Sequence, residues 1–174
     1  MPYQNPFDLL AAGKVVWNKW RLAHGDVQAY EPDLHHAQLP GVDLQGADLQ
    51  RVDLTEANLQ GADLRDANLQ DADLRHTNLS GANLSDANLQ RANMRGADLR
   101  NANLRRANLQ EADLSNADLR GADLEGTQLK TAFLRTARFD KVVREDNGNT
   151  DVRANMDAQE RKRVSLAALD APVV

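Results

Sequence analysis

No cysteine occurs among the 174 residues, so neither a disulfide framework nor a thiolate metal site can form. Positive charge is not in excess either: 21 Lys and Arg stand against 26 Asp and Glu, a formal net charge of −5. A general nucleic-acid binder is usually basic, so this balance argues against direct nucleic-acid binding. Long apolar runs are also missing. The stretch LLAAGKVVWNKW is hydrophobic in places, but Lys14 and Lys19 break it well short of the roughly 20 residues a spanning helix needs. The N-terminus does not show a basic region, an apolar region and a small-residue cleavage site in succession. These absences predict a cytoplasmic protein without a membrane segment. No glycine-rich loop opens a helix, and no Ser–His–Asp set has a reason to converge. The abundant carboxylates are expected on a convex polar surface rather than in a cleft that would shift their pKa values. The expectation is a protein that is not an enzyme and carries no cofactor.

What is present is a rhythm of five. Every fifth residue from Leu34 to Phe139 is large and apolar, 22 positions of which 20 are Leu, with Met94 and Phe139 as the exceptions. Two residues before each stands Ala in 17 of the 22 units, and the residue between is Asp ten times and Asn eight times. On an α-helix a step of five advances about 500°, which would scatter the leucines around the axis. On a straight strand an odd step sends successive leucines to opposite faces. The pattern closes only if the chain turns by about a right angle once per unit. Ala and Leu then point inward, Asp or Asn points outward, and the two remaining residues make the corner. Four units complete a square coil of twenty residues, and 22 units make about 5.5 coils, a rod roughly 26 Å tall at a strand spacing of about 4.8 Å. The expected core is the interior column set that includes Leu44, Leu54, Leu64, Leu74, Leu84, Met94, Leu104, Leu114, Leu124 and Phe139.

The run ADLRDANLQDADLRHTNLSGANL resembles the pentapeptide-repeat family, whose motif is a small residue, Asp or Asn, Leu and two variable positions. The resemblance covers about residues 31–140. It implies an all-β solenoid, a right-handed quadrilateral parallel β-helix, and the hand is an implication of the family alone. GKVVWNKWR is similar to the helical lead-in before the repeats of some bacterial members. The family includes bacterial topoisomerase-protecting proteins whose acidic rods imitate duplex DNA before DNA gyrase.

The organisation expected is an N-terminal helical cap over 1–30, the β-helix over 31–140, and a C-terminal cap or flexible tail over 141–174, with a short helix possible at 155–169. Asn5-Pro6 reads as an N-cap with Pro at the first helical position. One amphipathic helix to about Ala23 follows, with Leu9, Val16 and Trp20 on a stripe, Leu10 and Trp17 beside it, and Lys14, Asn18 and Arg21 facing away. Trp17 and Trp20 are expected to pack over the first coil; a partner-binding helix is the alternative. At the other end, Phe133 and Phe139 either seal the last coil or meet a second molecule, giving a monomer or a homodimer through that end.

Residues twenty apart stack, so the outer surface can be drawn in columns. Asp33, Asp53, Asp73, Asn93 and Asp113 form one column, with Arg75 and Arg95 beside it, and this is the candidate interaction surface. Gln50, Gln70, Gln90 and Gln110 read as an amide ladder, and Arg51, Asp71, Arg91 and Glu111 as a salt-bridge ladder. Gly41, Gly61, Gly81, Asn101 and Gly121 mark a corner that needs positive φ. The column His36, Glu56, His76 offers metal-ligand types. Its histidines lie two coils apart, too far for one ion, so no metal site is expected. The function expected is a rigid scaffold binding a protein partner whose identity the sequence does not name. The alternative is a DNA-mimicking protector of gyrase. Against it, residues 31–140 hold 18 acidic and 12 basic residues, a net of 18 − 12 = 6 negative charges. Duplex DNA of about 26 Å would carry about 15. A purely structural or capping module is the third reading.

Overall fold

The computed structural model describes residues 5–24 and 32–139. Every fifth residue from Asp33 to Asp118 forms a parallel bridge with the residue twenty positions later, so the column Asp33, Asp53, Asp73, Asn93, Asp113, Phe133 climbs one side of the coil. Each straight segment is so short that its central residue alone forms the bridge. The bridges define four sides, numbered here in chain order: side 1 begins at Asp33, side 2 at Gln38, side 3 at Asp43 and side 4 at Asp48.

Backbone hydrogen bonding explains why five residues suffice. In the unit 72–76 every N–H has a partner. Asp73 N–H donates down to Val52 C=O at 3.0 Å, while Leu74 and His76 donate up to Asn93 and Arg95 C=O at 2.7 and 3.0 Å. Ala72 N–H closes the preceding corner onto Leu69 C=O at 3.1 Å. The N–H left over, that of Arg75, donates to the Asp73 side chain at 3.2 Å. The same short ring recurs where Asn takes the place, as Ser85 N–H to Asn83 Oδ1 at 3.2 Å and Gln90 N–H to Asn88 Oδ1 at 3.2 Å. A buried or half-buried N–H without a partner is costly, so the preference for Asp or Asn is a backbone requirement before it is a surface property. Gln38 breaks the rule at no cost, because the residue two positions on is Pro40, which has no N–H.

The corners are uniform. The fifth residue of each unit has φ near +60° from His36 through Gly126, whether it is glycine, as at Gly61 (64°), or not, as at Arg51 (58°) and Glu56 (57°). Left-handed φ is therefore a demand of all four corners, not only of the glycine column at 41, 61, 81 and 121. A β-turn whose third residue has positive φ meets it. Inside, Leu44, Leu54, Leu64, Leu74, Leu84, Met94, Leu104 and Leu114 are inaccessible to solvent, Leu124 is buried, and Phe139 is only partly buried against the same core. Phe133 occupies an outward position and is 61% exposed. Residues 140–174, with the short helix expected at 155–169, lie outside the described residues.

The N-terminal segment differs from the single helix expected. Asn5 does cap it, its Oδ1 accepting from Phe7 N–H at 3.0 Å. But α1 (Pro6–Ala11) and α2 (Lys14–Ala23) are separate helices, broken at Gly13 with φ 98°. The break changes the helical phase, so one stripe cannot run through both. Leu9, Leu10 and Trp17 are buried, whereas Val16 is 42% and Leu22 86% exposed. The polar residues expected to face away are the ones that reach the coil. Lys14 Nζ meets the Asp43 carboxylate at 3.0 Å, Asn18 Nδ2 donates to Gly46 C=O at 2.9 Å, and Arg21 Nη2 donates to Gln50 C=O at 2.8 Å. The reason is the nature of the target. At residues 43–50 α2 meets a strand edge, a row of backbone donors and acceptors, and covering it takes polar side chains. Trp20 is half-buried, with its ring 5.6 Å from that of Trp17 and stacked on His24 at 5.1 Å.

A candidate interaction face

Side 1 carries the column singled out from the sequence. Asp33 is exposed at its start, and Asp53, Asp73 and Asp113 are half-buried above it. None of the four is a free carboxylate. Asp33, Asp53 and Asp113 each accept the N–H two residues on, from His35, Thr55 and Ser115, at 2.9–3.0 Å. Asp73 does the same for Arg75 and also accepts from its Nε at 2.8 Å and pairs with its Nη2 at 2.7 Å.

This Asp-x-Arg clasp recurs on other sides. Arg65, Arg100 and Arg120 close on Asp63, Asp98 and Asp118 at 2.5–2.6 Å. The guanidinium beside each of these three carboxylates holds it below its ordinary pKa, outweighing the opposing effect of partial burial. Other arginines reach between coils, Arg91 to Asp71 and Arg106 to Asp86, both at 2.6 Å, and these carboxylates are lowered for the same reason. The corner column Arg51, Asp71, Arg91, Glu111 thus has one close ion pair, Arg91 with Asp71, rather than a continuous ladder. The amide ladder also sits elsewhere than expected. Asn88 Nδ2 donates to Asn68 Oδ1, and Asn108 Nδ2 to Asn88 Oδ1, both at 3.3 Å, along the central column of side 4. Of the neighbouring glutamines, Gln70 donates its Nε2 to Asp71 at 3.1 Å and accepts at Oε1 from Asn88 Nδ2 at 3.5 Å, so its side chain serves Asp71 and the asparagine column. Stacked Asn side chains are held in place by their own backbone ring and so meet in register, which the longer Gln side chains do not.

Arg95 departs from the clasp. Its unit has Asn93 where Asp would stand, and its nearest carboxylate is Asp113, in the coil above, at 3.6 Å. Around it lies an open cleft of about 410 Å³ lined by Arg75, His76, Asn93, Arg95, Gly96 and Asn116. The His76 ring leans over Gly96, where a Cβ would come within 2.6 Å of Nδ1. The glycine leaves that space open to the ring. His36, two coils below, pairs instead with Glu56 at 3.4 Å. Among the described residues no three His, Asp or Glu gather to hold a metal ion, and no helix is long and apolar enough to cross a membrane. Sequence reasoning placed Arg75 and Arg95 on this side but missed the cleft. Its signal lay in two columns, Asn93 among aspartates and Gly96 between His76 and Asn116.

The comparisons agree on the repeat. The family model for pentapeptide repeats matches in eight copies over residues 33–71, 67–106 and 97–135, more than half of the chain. No curated protein sequence matches. Among solved structures, HetL, a pentapeptide repeat protein involved in heterocyst differentiation regulation from the cyanobacterium Nostoc sp. strain PCC 7120, is 35% identical. The match covers 63% of this chain and 67% of that one, with a TM-score of 0.41. Rfr23 from the cyanobacterium Cyanothece 51142 is 32% identical over 71% of this chain and 94% of its own, with a TM-score of 0.38. Full-length QnrB1, a plasmid-mediated fluoroquinolone resistance protein, is 15% identical over 84% and 77%, with a TM-score of 0.37. No catalytic family is indicated.

Proposed function

Because the chain belongs to the pentapeptide-repeat family, we propose that it is a non-enzymatic scaffold, a right-handed square rod of about 5.5 coils that docks a protein partner on side 1. In this reading α1 and α2 cap the first coil. The observation that carries the proposal is the state of the surface side chains. The central Asp and Asn are committed to backbone rings, and most arginines to carboxylates at fixed spacing, so below the exposed Phe133 the sides are polar walls with little freedom left to lose. A rigid surface of that kind binds with a small ordering cost, which favours recognition over catalysis.

Affinity capture with the immobilised full chain from extract of its own cells tests the proposal. Thr55→Lys with Ser115→Lys alters side 1 at positions whose equivalents on the same side, 75, 95 and 135, hold arginine. A stoichiometric partner lost with this double variant is expected; a partner retained in full removes side 1 as the docking face.

The gyrase-protecting alternative draws on the excess of six negative charges over residues 31–140. The arginines oppose it, because Arg65, Arg75, Arg91, Arg100, Arg106 and Arg120 lie within 2.7 Å of carboxylates and break the acidic field, while the central column of side 4 above Asp48 is amide. A gyrase supercoiling assay with and without quinolone decides it: no effect at micromolar protein eliminates the alternative.

A further inference from the structure

The side 1 cleft has a chemistry of its own within this acidic chain. Arg75 spends Nε and Nη2 on Asp73, which leaves its Nη1 protons outside that pair. Arg95 is less committed still. Its guanidinium stands 3.6 Å from Asp113, beyond hydrogen-bond length, and its side chain is 57% exposed. No hydrogen bond holds that guanidinium among the described residues. Two residues leave it so: Asn93 supplies the Oδ1 that receives the Arg95 N–H at 3.4 Å, as an aspartate would, but brings no charge to clasp the arginine, and Ser115 stands in the coil above where Arg105, which also follows an Asn, finds Glu125. His76 and the Asn93 and Asn116 amides complete the lining. The neighbouring carboxylates, Asp73, Asp113 and Glu56, are each turned to a partner, Arg75, the Ser115 N–H and His36 respectively.

We propose that this cleft is the acceptor for an acidic helix of the protein partner, with two carboxylates of one helical face bound by Arg75 and Arg95. The inference rests on the reading of side 1 as the docking face. Charge complementarity selects the occupant, and spacing narrows it. Arg75 and Arg95 sit in adjacent coils, about 4.8 Å apart in the backbone. Carboxylates four residues apart on a helix are about 5–6 Å apart at Cβ, within reach of two flexible arginines. Alternate residues of a strand are about 6.6 Å apart and fit less well. Each guanidinium offers paired N–H donors that match a carboxylate fork.

The test is titration of the full chain with a synthetic alanine-based helical peptide bearing Glu at i and i+4, followed by fluorescence anisotropy. Saturable binding that weakens as salt rises from about 50 to about 300 mM is expected. Arg95→Gln should weaken it about tenfold, the loss expected for one charge-assisted hydrogen bond. Asn93→Asp is the sharper variant. It keeps the backbone ring but offers Arg95 the clasp that Asp73 offers Arg75, and a similar loss is expected without removal of any arginine. Arg100→Gln, on side 2, should leave binding unchanged. Absence of saturable binding overturns the proposal. So does equal affinity in the wild type and Asn93→Asp, equal binding of a peptide with Gln in place of Glu, or displacement by equimolar inorganic phosphate, which would mark a general anion site. Peptide failure with partner capture still sensitive to Thr55→Lys and Ser115→Lys removes the cleft alone. Capture indifferent to those substitutions removes side 1 as the docking face, and the cleft with it, whatever the peptide does.

Discussion

Asp48 N–H donates to Asn18 Oδ1 at 2.9 Å, and Asp48 C=O accepts from Trp17 Nε1 at 2.6 Å. From Asp53 upward the two backbone groups of a central residue bond to the coil before, as Asp73 N–H does to Val52 C=O and Asp73 C=O does to Leu54 N–H. At Asp48 two consecutive side chains of α2 stand in for that coil. An open sheet edge invites pairing with another chain, and here a helix satisfies it without adding a strand.

Removing either side chain leaves a backbone group at this edge without its partner. Asn18→Ala and Trp17→Phe are each expected to lower stability by about 1–3 kcal/mol, read from urea or thermal unfolding by circular dichroism. Light scattering after chromatography supplies a second reading, because an uncovered edge should raise the fraction of higher oligomers. Unchanged melting in both variants would show that the edge needs no such cover.

The backbone ring can be tested at Asn83, whose Oδ1 receives Ser85 N–H at 3.2 Å. Asn83→Ala removes the acceptor while the side chain stays small, and a loss of about 1–2 kcal/mol is expected. Asn83→Asp keeps the acceptor and should cost less than half as much. If the two substitutions destabilise equally, the ring is not the reason for the repeat's central residue.

Acid should unfold the rod through its clasped aspartates. Asp63, Asp98 and Asp118 have folded pKa values below the ordinary carboxylate value because Arg65, Arg100 and Arg120 bond to the ionised form. A carboxylate depressed in the folded state adds stability above its unfolded pKa, about 3.9, and loses it as pH falls through the lower folded value. The melting temperature is therefore expected to hold nearly level from about pH 7 to about pH 5 and to fall below about pH 4. Asp98→Asn with Asp118→Asn should flatten that fall; an acid limb of undiminished slope in this variant would assign it to other groups.

Much of this was legible because the repeat is strict. Leu at every fifth position admits neither helix nor straight strand, so the coil, its period of twenty and the stacking of Leu54 on Leu74 follow from spacing. What the spacing hid was the use of the outward residue. Asp and Asn at positions such as 73 and 83 looked like surface chemistry, yet their first task is to receive the one N–H that neither ladder nor turn can use. The left-handed corners at Arg51 and Glu56 were equally hidden, since nothing in those residue types announces positive φ. At Asn93 the hydrogen-bonding role survives and the charge does not, a difference visible only once the role is known.

The amino-acid order alone determined the interior rows, the register and the columns, because a local period repeated 22 times leaves the backbone one way to bury its leucines. Tertiary structure decided which side of α2 turns inward and which arginines find carboxylates. The first depends on an edge made of backbone atoms, which have no letters in the sequence. The second depends on where each guanidinium's nearest carboxylate comes to lie: Arg75 closes on Asp73 in its own coil at 2.7 Å, whereas Arg95, with Asn93 in that place, stands 3.6 Å from Asp113 in the coil above.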